Sequence, residues 1–212
     1  VVEPARYFDL TEKGTGEGMR RMGVLDGIEK TEIRNLLGKD WLTHDGMWFY
    51  NTCREFGIEK ANEVNKAAIK SLAPIEMDRM KRLLGIAREN FETFDEVVQF
   101  MCAALELTLP DSVFKKFHFT PSAGNLIRWK WESFQCFAYK GMKQIGVIDG
   151  YRCGVMYRIE CWLEALGVRY SIQPLIEGCL MNEKRVCEGE IQVFLVSGHR
   201  VTTYEYLVPK AP

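Results

Sequence analysis

A change of apolar period near Pro110 constrains this chain more than any other feature. Before it, apolar residues return every three or four positions, as on amphipathic helices. After it they alternate, as on half-buried strands. One stretch therefore supplies helices and the next supplies a sheet, and each needs the other to cover its apolar face. The expected fold class is α+β: an N-terminal helical portion packed on a C-terminal, mostly antiparallel sheet lobe with two helices. The 212 residues divide into a flexible Gly-rich arm over 1–28, a helical region over 29–110 and an α+β, ligand-binding-like lobe over 111–212. The arm carries Gly14, Gly16, Gly18, Gly23 and Gly27, but it lacks the spacing and the following Lys-Ser/Thr of a phosphate loop.

Local signals set the elements. Thr31 caps a first helix whose stripe is Ile33, Leu37, Trp41, His44 and Trp48, ending near Gly57. A second helix runs over 58–72 and is broken or kinked by Pro74. A third carries Met77, Met80, Leu84 and Ala87. Thr93-Phe94-Asp95-Glu96 is a capping box that opens a fourth, reaching Leu107. Beyond Pro110 a short strand holds Phe117 and Phe119, and 121–124 reads as a turn. A long strand over 126–137 shows Ile127, Trp129, Trp131, Ser133 and Gln135 on one face, with Arg128 and Lys130 on the other. Helices follow over 138–145 and 152–166, the latter closed by Gly167. Strands over 168–181 and 186–196 form a hairpin, and a turn at 197–199 leads to a last strand over 201–208.

Composition excludes several classes. Lys+Arg is 28 against Asp+Glu 29, a net charge of −1, which argues against a partner that is nucleic acid or an anionic membrane held by bulk charge. No apolar run is long enough to span a bilayer. Seven Cys, an odd number, without an export signal argue against a disulfide framework and for a cytoplasmic location. There is no HExxH, no Ser-His-Asp order and no nucleotide loop.

What remains are four groups of candidates. In Trp41-Leu42-Thr43-His44-Asp45-Gly46-Met47-Trp48-Phe49 the imidazole of His44 shares a stripe with Trp41 and Trp48 and is expected to turn inward. His44 or Asp45 would then be the general base of any reaction, and Gly46 would mark a close approach. Asn62, Asn65 and Lys66 form a polar cluster on the next helix, either pocket groups or solvated ones. Trp129 and Trp131 suit a ligand-pocket wall or a covered core face. Cys179 and Cys187 would lie opposite each other on the hairpin strands, where opposed Cβ atoms are about 4.5–5.5 Å apart. One of Cys153 and Cys161 on the preceding helix can join them, Cys153 being the candidate, in a three-thiolate site for Zn²⁺ or beside a redox-active pair; the alternative is packed, reduced thiols.

Two resemblances add to this. The segment 41–49, with Phe56-Gly57-Ile58-Glu59-Lys60-Ala61-Asn62 and Asn65-Lys66, resembles an uncharacterised family of bacterial and archaeal proteins with a WxTHDGxWF signature. In the C-terminal third, Leu163-Glu164-Ala165-Leu166-Gly167, Glu177-Gly178-Cys179 and Cys187-Glu188-Gly189-Glu190-Ile191-Gln192-Val193-Phe194 are similar to the end of the 4-vinyl reductase domain, a small-ligand-binding α+β fold. They are also similar to the end of the L-2-amino-thiazoline-4-carboxylate hydrolase family. The return strand lacks the Gly that precedes the second Cys in those families. Three functions are therefore expected in competition. The first is a protein that binds a small molecule between the helical region and the sheet lobe. The second is a hydrolase, metal-assisted through a thiolate-held Zn²⁺, as the second resemblance implies. The third is a homo-oligomeric interaction module using the arm and exposed aromatics.

Overall fold

A computed structural model describes residues 23–87 and 90–195 of the chain. The arm expected over 1–28 is described only from residue 23, and the turn at 197–199 and strand at 201–208 lie outside the described residues. The fold is α+β. A long helix α1 (Lys30–Leu83) leads to α2 (Phe94–Thr108) and a single turn α3 (Asp111–Phe114). Then come β1 (Phe117–Ser122), β2 (Leu126–Trp131), α4 (Phe137–Gln144), α5 (Gly154–Ala165), β3 (Arg169–Gln173), α6 (Leu180–Glu183) and β4 (Glu188–Phe194).

The two expected helices that meet near Gly57 exist as two arms of α1. Gly57 has φ 82° and ψ 168°, backbone that only Gly adopts without strain, and it kinks the helix there. Pro74 does not break the helix: α1 runs through it to Leu83. A helix-interior Pro costs about 3 kcal/mol, and the burial of Ala73, Met77 and Met80 on either side of it opposes that cost. The capping box is present as read, with Thr93 Oγ1 accepting from the Glu96 N–H.

Among the described residues the strands form one antiparallel sheet in the order β1-β2-β4-β3. Ile127, Trp129 and Trp131 face the helices, as the alternation predicts. Arg128 and Lys130 point outward and pair across the strands with Glu190 (3.0 Å) and Glu188 (2.7 Å). Strand β2 stops at Trp131 rather than near 137. Phe134 takes a left-handed φ of 59° and Gln135 N–H bonds back to the Glu132 carbonyl, so Ser133 and Gln135 leave the sheet. On the far edge, β3 ends at Gln173 because Pro174 has no N–H to donate to the ladder.

Helix α1 lies along α5, and the pair covers the sheet's inner face together with α2 and α4. Asn62 fastens this contact: its Nδ2 donates to the Gly150 carbonyl (2.8 Å) and its Oδ1 accepts from the Arg152 N–H (3.0 Å). On β4, Gly189 pairs with Trp129, and the indole packs over the space a side chain would take. A Cβ there would sit 2.3 Å from the Gln173 carbonyl oxygen and 2.7 Å from the Trp129 ring. Gly189→Ala therefore forces β3 away from β4. Chemical unfolding should report a loss of roughly 1–3 kcal/mol or more, whereas Gly46→Ala, with open space at its Cβ, should not destabilise the chain.

Candidate functional site

A cavity of about 80 Å³ lies between the helical region and the sheet lobe. That is several times the ~10–15 Å³ one water requires. Trp41, Leu42, Asp45, Asn65 and Ile69 of α1 form one side. Leu105, Thr108 and Leu109 close one end. Phe117, Trp131, Phe137 and Ala138 come from the lobe, and Tyr151, Gly154, Val155, Arg158, Ile159 and Trp162 come from α5 and the turn before it. The wall is aromatic: Trp131 stacks at 4.8 Å on Phe117 and meets Phe137 at 6.0 Å.

One charged group is held firmly in this wall. Arg158 Nη1 donates to both oxygens of Glu76, at 2.8 and 3.0 Å, and its guanidinium lies 4.7 Å from the centre of the Trp41 ring. Trp162 Nε1 donates to the same Glu76 carboxylate at 2.7 Å. Both side chains of the ion pair are about one-eighth exposed. Arg158 Nη2 points toward Asp45, 3.8 Å away, too far for a hydrogen bond. Asp45 is half exposed at the rim. Trp131 contributes something else: its indole N–H is buried and no protein group accepts from it. Gly154 lets α1 and α5 approach at the cavity floor, since a Cβ there would lie 2.7 Å from Asn65 Nδ2.

The structure brings some of the expected site residues together and separates others. Trp41, Asp45, Asn65 and Trp131 line the cavity together. His44 does not turn inward: it is exposed and accepts a hydrogen bond from Trp48 Nε1 at 3.2 Å. Trp48 is 66% exposed. The inward stripe of α1 is Gly38, Trp41, Asp45 and Phe49, one position round from the stripe read off the sequence. Gly38 sets that phase, because without a Cβ the helix backs onto Pro110 and Thr108. Gly46 has nothing within 4 Å of its Cβ position and marks no close approach. Asn62 is spent on the backbone of 150–152, and Trp129 is packed on Gly189 with its own N–H unpartnered.

The cysteines also rearrange. Cys179 and Cys187 do not face each other across a hairpin. Cys179 is the N-cap of α6 and Cys187 precedes β4, while the β3–β4 pairing begins only at Gln173 and Glu190. Cys153 is the N-cap of α5, and Cys136, which the sequence did not single out, is the N-cap of α4. The backbone N–H of Trp131 bonds to the Cys187 carbonyl, the backbone N–H of Phe134 meets Met181 Sδ, and Gly178 lies near the Tyr151 carbonyl. These links draw the four thiols into one buried neighbourhood, where each lies within electrostatic reach of the other three. Burial pushes Cys136 up to about 12 and Cys153 up to about 11, and it raises Cys179 and Cys187. The N–H groups of each following helical turn oppose this but form no cap hydrogen bond. Among the described residues no three His, Cys, Asp or Glu side chains are grouped closely enough to hold a metal ion.

Arg158 and Glu76 were missed by sequence reasoning, although a signal exists. Each is a charged residue on an otherwise apolar stripe: Glu76 among Ile69, Ala73 and Met80, and Arg158 among Val155, Ile159 and Trp162. Opposite charges on the inner stripes of two helices point to a buried pair.

The fold and site thus define an α+β protein with a small aromatic cavity carrying one fixed guanidinium. Residues 26–111 match a family of unknown function, DUF6125, and this segment contains 41–49 and the α1 side of the cavity. No curated protein and no solved structure matches the chain. No described helix is long and apolar enough to cross a membrane.

An unfolded chain ionises these thiols near 9, whereas the folded chain holds Cys136 and Cys153 protonated up to about 12 and 11. Their contribution to stability is whole below pH 9 and is lost as pH rises toward those values. Melting temperature should fall between about pH 9 and 11, and Cys136→Ala should reduce the slope. A melting temperature independent of pH over that range contradicts the burial of these thiols.

Proposed function

We propose that the protein binds a small, planar, mostly apolar molecule in this cavity, with an acceptor group on the ligand taking the Trp131 N–H and Arg158 Nη2. The observation that carries the reading is the buried Trp131 N–H without a partner in a wall that also holds Arg158. A buried donor left unsatisfied costs about 1–3 kcal/mol, so an acceptor supplied by a ligand recovers that amount on binding. Arg158 needs no reorganisation, because Glu76 and Trp41 already fix its plane. Benzoate, benzamide and benzylamine are suitable probes. The first two should raise the melting temperature and the third should not. Trp131→Phe, which keeps the ring and removes the N–H, should weaken benzamide by roughly tenfold. No shift with any probe, or no effect of Trp131→Phe, overturns the proposal.

A hydrolase remains the alternative reading of the same cavity. Of the two bases expected, only Asp45 lines it. Asp45 would take a proton from water beside a ligand anchored on Arg158, and Asp45→Asn would abolish turnover while leaving the benzamide shift intact.

Zinc belongs to a second proposal, favoured by the convergence of Cys136, Cys153, Cys179 and Cys187. The donor set suits a soft ion in chemistry, but the sulfurs as placed are not drawn around one point. Binding would release the protons that burial now holds on them. Protein purified without chelator should carry about one Zn²⁺ per chain; less than ~0.2 counts against a tight site.

A further inference from the structure

The outward side of the first arm of α1 is unusual for a helix facing solvent. Leu36, Leu37, Met47 and Trp48 are 60, 62, 50 and 66% exposed, and Asp40 and His44 are exposed along the line between them. With 3.6 residues per turn, Asp40 and His44 fall on the centre of this face. Leu36 and Met47 flank it on one side, and Leu37 and Trp48 on the other.

We propose that a second copy of this chain packs antiparallel on this stripe, about a two-fold axis level with residue 42. The register follows from the sequence. An antiparallel pairing centred there sets Leu36 beside the partner's Met47, Leu37 beside the partner's Trp48 and Asp40 beside the partner's His44. Each contact occurs twice, as an isologous interface requires. The charge pattern is self-complementary only in this register: a parallel pairing would set Asp40 against the partner's Asp40. Trp48 prepares the imidazole for the contact. Its N–H occupies His44 Nε2, so the neutral ring carries its proton on Nδ1, where it can donate to a carboxylate. Along α1 the contact from 36 to 48 spans about 18 Å. Of the cavity residues, Trp41 borders this face next to Trp48, whereas Asp45 and the rest of the lining lie farther round the helix or on other elements, so the stripe and the cavity are separate surfaces.

Sedimentation equilibrium on the full chain tests it. The wild type should show twice the 24.5 kDa chain mass at micromolar concentration. Trp48→Glu should shift it to monomer with an unchanged helical spectrum. Asp40→His and His44→Asp should each weaken the dimer about tenfold, and the double exchange should restore it, as expected for two residues that contact each other. A monomeric wild type overturns the proposal. So does a dimer that survives Trp48→Glu, or a double exchange no better than the single ones. The benzamide shift should persist in Trp48→Glu whichever way the mass falls, which separates this outcome from that of the cavity.

Discussion

The Glu76–Arg158 pair is the interaction on which the rest of the architecture rests. It ties the second arm of α1 to α5, and α5 in turn covers the inner face of the sheet. Both partners are nearly buried, so the pair's value lies less in net Coulomb energy than in the penalty for misplacing either helix. Breaking a buried pair by removing one partner typically costs about 3–5 kcal/mol. Sliding α5 by one turn would leave a buried guanidinium, a buried carboxylate and the Trp162 N–H all unpaired. The cavity exists because this register is fixed: α1 and α5 are held together at Gly154 and Arg158, while Trp41, Trp131 and Phe137 are too bulky to interlock in the space between.

The fold class was legible in the sequence, and the site was half legible, for identifiable reasons. The period change at Pro110, the Thr93 capping box and the Trp129/Trp131 face all appear where patterning puts them, because each rests on local chemistry. His44 was misplaced because α1 is apolar on more than one side. Leu37 and Trp48 define one stripe, Trp41 and Phe49 another, and periodicity alone cannot choose between them. The choice is made by Gly38 against Pro110, a contact 72 positions apart in the chain. The hairpin over 168–196 failed differently. Pro174 stood inside the expected strand, and a Pro in a paired strand is itself a reason to end it. A strand ended there leaves Cys179 outside the ladder, at the N-cap it occupies.

The thiol neighbourhood shows what tertiary structure adds that spacing does not contain. Cys136, Cys153 and Cys179 stand at the starts of three separate helices, and Cys187 at the start of a strand. Helix starts favour an anion, through free N–H groups and the macrodipole. Here desolvation is the larger effect, and all four thiols are held neutral. The same four groups are thus tight packing while protonated, and the helix starts oppose only part of the cost of ionising them.

On the proposed ligand reading, the charge around the cavity would decide which ligands fit it. Arg158 and Asp45 line it, and Glu76 stands behind Arg158, so the guanidinium's charge is balanced from the side away from the ligand. What Arg158 would offer a ligand is therefore direction more than charge, and the unpartnered indole N–H of Trp131, from the same wall, would be a second donor. Asp45 is the one carboxylate left in the lining, and it is half in water, where its field is strongly screened. A cation would gain little from that screened carboxylate and would leave both donors unpaired. The proposed planar molecule with an acceptor would answer both donors and the aromatic wall together, whether the acceptor is a carboxylate or a neutral carbonyl.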